Sequence, residues 1–149
     1  MARRFGVDLK ISRLMLLIGL MCERLRRFEE GEQILRAMKV YRDDLPHPST
    51  YLALCYVSQG RLREAQEELA AVRAAYPEFQ MSKVLLGIAR RDAGESGWQC
   101  LLQEVIEDGR DEYAIKLAQD TLGLDSPAAA TSHGDTTILQ IPHAQRVYA

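Results

Sequence analysis

The residues able to do chemistry in this chain are few and scattered. His47, His133 and His143 are the candidate metal ligands or proton carriers. None has a Cys or carboxylate partner at ligand spacing within one element, so no metal site is expected. Cys22, Cys55 and Cys100 lie on apolar helical faces without a nucleophile signature, and read as small core residues. The acidic pairs Glu29–Glu30, Glu67–Glu68 and Glu107–Asp108 could share acid–base work only in an enclosed cleft, and read as solvated faces. The glycines stand singly at helix ends, so no phosphate-cradling loop exists and no cofactor is expected. Trp98 reads as an anchor of the last core layer. The group Arg24, Arg26 and Arg27 reads as a solvated helix end. The expectation is a protein that is not an enzyme.

The elements that hold these residues are helices. From Pro48 to Pro77 the chain reads as two antiparallel helices hinged at Gly60. Tyr51, Leu52, Leu54, Cys55 and Val57 make one apolar face. Leu62, Ala65, Leu69, Val72 and Tyr76 recur at spacings of three and four, the period of an amphipathic helix. One such pair cannot bury its own apolar face. Shifting by about 34 residues finds its neighbours. Leu52, Ala53 and Gly60 fall on Leu86, Gly87 and Gly94. Backward, Leu62, Glu64 and Leu69 fall on Phe28, Glu30 and Leu35, Ala65 on Gly31, and Leu52–Ala53 on Ile18–Gly19. Cys22 and Cys55 fall at nearly equivalent places, which supports a packing role.

Taken in order, residues 1–7 are expected to be loose, with a helical domain over 8–123. Its first helix is capped by Asp8 or Ser12 and runs to about Leu25. A returning helix, Phe28 to Arg42, places Phe28, Ile34, Leu35, Met38 and Tyr41 inside. After Pro77 a helix bears Met81, Val84, Leu85, Ile88 and Ala89 and ends at Gly94. The next starts near Ser96 or Gly97, carries Trp98, Leu101, Leu102, Val105 and Ile106, and stops at Gly109. A last helix, about Asp111 to Leu122, with Tyr113, Ile115, Leu117 and Ala118, would cover the end of the stack. The fold expected is therefore all-α, about three helix pairs plus a C-terminal capping helix. Within residues 124–149, positions 125–137 are mainly small and polar, and Ile138, Leu139 and Ile141 follow. The segment 124–149 is expected to be mostly disordered: a peptide that orders on binding, a tail touching its own domain, or a segment without a role.

Composition narrows the partners. The 149 residues carry a formal charge of -2 with both signs mixed, which gives no general attraction to nucleic acid. The odd cysteine count suits a reducing compartment. The longest apolar run, Leu14 to Met21, is too short to cross a bilayer. Arg3 and Arg4 ahead of it imitate a signal peptide, but Asp8, Lys10 and Arg13 interrupt, and the run reads as a buried first helix.

The middle unit resembles a tetratricopeptide repeat. Leu52, Ala53 and Tyr56 match the large, small and aromatic places of the first helix; Ala65, Leu69, Val72 and Pro77 match those of the second. Ser49 replaces the usual early tryptophan and Val72 a smaller alanine. The flanking units depart further, with Cys22 and Arg90 at the aromatic place and Arg26 at the hinge glycine. Gly94 to Gln119, GESGWQCLLQEVIEDGRDEYAIKLAQ, resembles the corresponding segment of the HrpK-type proteins of Hrp type III secretion clusters. The size and plan, over roughly residues 12–122, are also similar to the YscG/PscG needle co-chaperones and the SycD-like translocator chaperones.

The resemblance implies a protein-binding module whose first helices line a concave groove. The matching positions are Leu16, Leu20, Thr50, Leu54, Val57, Met81, Val84 and Ile88. They are mainly apolar, which suits an amphipathic helix rather than an extended acidic peptide. Repeats that hold the acidic tails of heat-shock proteins place Lys, Asn and Arg where this chain has Leu16, Leu20, Thr50 and Leu54. The expected role is a cytoplasmic chaperone or co-chaperone in type III secretion, binding a helix of a secretion subunit or a small co-chaperone, with no membrane insertion. The alternatives are an exported component acting in the periplasm or at the cell wall, and a homodimer.

Overall fold

The computed structural model describes residues 9–124. The expectations for residues 1–8 and for the segment 125–149 lie outside the described residues. Seven helices follow one another: α1 (Leu9–Arg24), α2 (Phe28–Tyr41), α3 (His47–Ser58), α4 (Leu62–Ala75), α5 (Gln80–Asp92), α6 (Trp98–Asp108) and α7 (Glu112–Leu122). Among the described residues there is no strand.

The turns inside the three pairs are built alike. Arg26, Gly60 and Gly94, each 34 residues from the next, adopt left-handed φ of 59°, 72° and 72°. The residue after each donates its amide to the carbonyl five residues back: Arg27 N to Cys22 O at 2.8 Å, Arg61 N to Tyr56 O at 2.9 Å, Glu95 N to Arg90 O at 2.9 Å. This closes the last carbonyls of each first helix and sends the chain back antiparallel. Pro48 sits in the first turn of α3, where its missing amide costs nothing. Asp111 caps α7, its carboxylate accepting from Tyr113 N and Ala114 N at 3.1 Å each.

Close packing inside each pair repeats as well. A Cβ on Gly19 would lie 2.8 Å from Leu35 Cγ; one on Gly87 would lie 2.9 Å from Leu102 Cδ2. Ala53 and Leu69 hold the equivalent places in the middle pair, and all of these leucines are fully buried. Each contributes about 1.5–3 kcal/mol of apolar transfer. The spacing from Leu35 to Leu69 is one residue longer than from Leu69 to Leu102, so α6 enters in a shifted register.

Successive pairs stack so that α1, α3, α5 and α7 form one row, with α2, α4 and α6 behind it. α3 touches α1, α2, α4 and α5, and α5 touches α3, α4, α6 and α7; these two helices form the centre of the core. α1 touches only α2 and α3. This corrects the expectation of a buried first helix. Only Ser12, Leu16, Gly19 and Cys22 of α1 are buried, while Leu14, Leu17, Ile18 and Met21 are exposed. A first pair has no preceding pair to cover it. Tyr41, Tyr113 and Cys100, expected inside, are also exposed, and Trp98 is half-buried. Each lies near a helix end or on the outer side of the last two helices, past the reach of a neighbour.

Candidate protein-binding site

The row α1–α3–α5 (the inner row) carries all eight candidate groove residues. The structure separates them. Leu16, Thr50, Leu54, Val57, Val84 and Ile88 are buried; Leu20 and Met81 are half-buried. Leu16, Thr50 and Val84 are 34 residues apart, as are Leu20, Leu54 and Ile88, so each set occupies one register position. At these positions in α3 and α5 the side chains are buried, because each of these helices packs against four others. Thr50 satisfies its hydroxyl locally, donating to Pro46 O at 2.8 Å. Six of the eight are therefore part of the buried interior, and only Leu20 and Met81 keep some exposure to solvent.

Beside this row lies a polar clamp that periodicity did not reveal. Glu32 on α2 is buried and accepts from Arg36 Nη2 at 2.7 Å, from Gln59 Nε2 at 2.8 Å and from Arg61 Nη1 at 2.7 Å. Arg61 continues to Glu64, its Nη2 donating to Oε1 at 2.7 Å, and its guanidinium lies 4.3 Å over the Tyr56 ring. The hydrogen bond from Arg61 holds the Glu64 carboxyl below its usual range, and the same bond raises Arg61. Arg36 donates to Tyr56 Oη at 3.1 Å, and that bond is the main cause of its raised pKa. The Arg36–Glu32 spacing of four was the only sequence signal. Glu23, on the other side, accepts from Ser58 Oγ.

At the far edge His47 packs edge-on to Phe79, with ring centroids 5.2 Å apart, and to Tyr51 at 6.2 Å. Burial lowers its pKa. It is a packing residue with no acid beside it. Burial also pushes the Cys55 thiol up to about 12, which suits an inert core residue. Among the described residues no three His, Cys, Asp or Glu side chains come together to hold a metal ion. No helix among them is long and apolar enough to cross a membrane.

Most of the exposed large apolar side chains among the described residues lie on or just past α1. Ile11, Leu14, Ile18, Met21 and Leu25, with Leu17 beside them, are each between 40% and 66% exposed.

The fold matches a solved structure, the Sgt2 TPR domain from Aspergillus fumigatus, with a TM-score of 0.61 and 16% identity. The match covers 85% of this chain and 91% of that chain. At that identity the likeness shows the fold alone: an all-α tetratricopeptide-type helical repeat. No curated protein matches the chain. Residues 12–125 match the family described as Bacterial type III secretion protein (HrpB1_HrpK). The match runs from the first helix of the stack to the residues just past α7, and so takes in the repeats and the final helix together. The chain belongs to the HrpB1_HrpK family of bacterial type III secretion proteins.

Proposed function

We propose that the protein is a non-enzymatic chaperone or co-chaperone of type III secretion that holds an amphipathic helix of an export subunit along its inner row. The observation that supports this is the side-by-side row of α1, α3 and α5, backed by a continuous core. Stacked helix pairs of this kind present an extended surface rather than a cleft. The six buried candidates make a stiff floor, and Leu20 and Met81 supply the apolar contact. A subunit that polymerises through apolar faces stays soluble while those faces are covered. This role places the protein in the cytoplasm; an exported component would instead be recovered from the periplasm, and cell fractionation separates the two.

The test is co-purification of the full chain with the needle and translocator subunits of its own secretion system. A one-to-one complex with one of them, lost in Leu20→Glu/Met81→Glu while helicity is unchanged, supports the reading. A complex that survives that pair of substitutions overturns the inner row as the site. Leu54→Glu is not a usable probe, because Leu54 is 4% exposed and the buried carboxylate would unfold the stack.

A further inference from the structure

We draw no further inference here: the strongest candidate, the exposed apolar face of α1 formed by Ile11, Leu14, Ile18, Met21 and Leu25, carries nothing because nothing in the structure shows what covers it, the flanking Lys10 and Arg24 being already engaged.

Discussion

Glu32 Oε1 accepts a hydrogen bond from Arg61 Nη1 at 2.7 Å and so ties the first helix pair to the second. Glu32 is 6% exposed, while Arg61 and Arg36 reach solvent. Removing the carboxylate leaves two cations that can rehydrate, but takes from Gln59 Nε2 one of its two acceptors, the other being Cys55 O. Glu32→Ala is expected to cost about 1–2 kcal/mol, measured as a lower urea midpoint at unchanged slope. Glu32→Gln, which keeps an acceptor, should cost less.

The left-handed position of Arg26 is strained where Gly60 and Gly94 are at ease. Arg26→Gly is expected to stabilise the protein by about 0.5–1 kcal/mol. The gain is net of the cation–π contact to Phe28, 5.6 Å away. Gly60→Ala should go the other way by about 1 kcal/mol, although open space surrounds its Cβ position. Thermal melts of the two variants check both signs.

Gly19 leaves no room for a side chain against Leu35. Gly19→Val is expected to destabilise by about 1–3 kcal/mol through overpacking. A compensating Leu35→Ala in the same chain should recover part of the loss, because the two sites share one contact.

His47 carries the pH dependence that burial predicts. Its folded pKa lies below the unfolded value of about 6.5, so the unfolded chain binds the proton more readily. Its contribution is fully present above about pH 6.5 and is lost as pH falls through the folded value. The wild type should therefore lose more thermal stability than His47→Gln between about pH 7 and pH 5.

The thiols should divide by burial. Cys100 is exposed, whereas Cys22 and Cys55 are buried. At about pH 8 a thiol reagent should modify Cys100 quickly, and the other two only in urea. Cys100→Ser should remove the fast phase and leave the slow one.

Most of the architecture was legible in the residues. The 34-residue spacing of Gly19, Ala53 and Gly87, and of Arg26, Gly60 and Gly94, gave the pairs and their hinges, and the observed helix ends fall within a few residues of the expected ones. Short-range signals suffice there, because caps, hinge glycines and period-3.6 faces act within a few turns. The candidate site was less legible. Leu54 and Val84 look like groove residues in a single helix, yet α3 and α5 lie among neighbours that bury them.

The sequence by itself determined the repeat, the seven helices and which residues share a face, since all of these follow from local backbone preferences and periodicity. Only the tertiary structure decided which faces are covered. Burial depends on whether another helix arrives, and no helix among the described residues arrives at the outer side of α1. The same holds for Glu32, whose partner Arg61 lies 29 residues away and was brought to it by the stacking of the pairs.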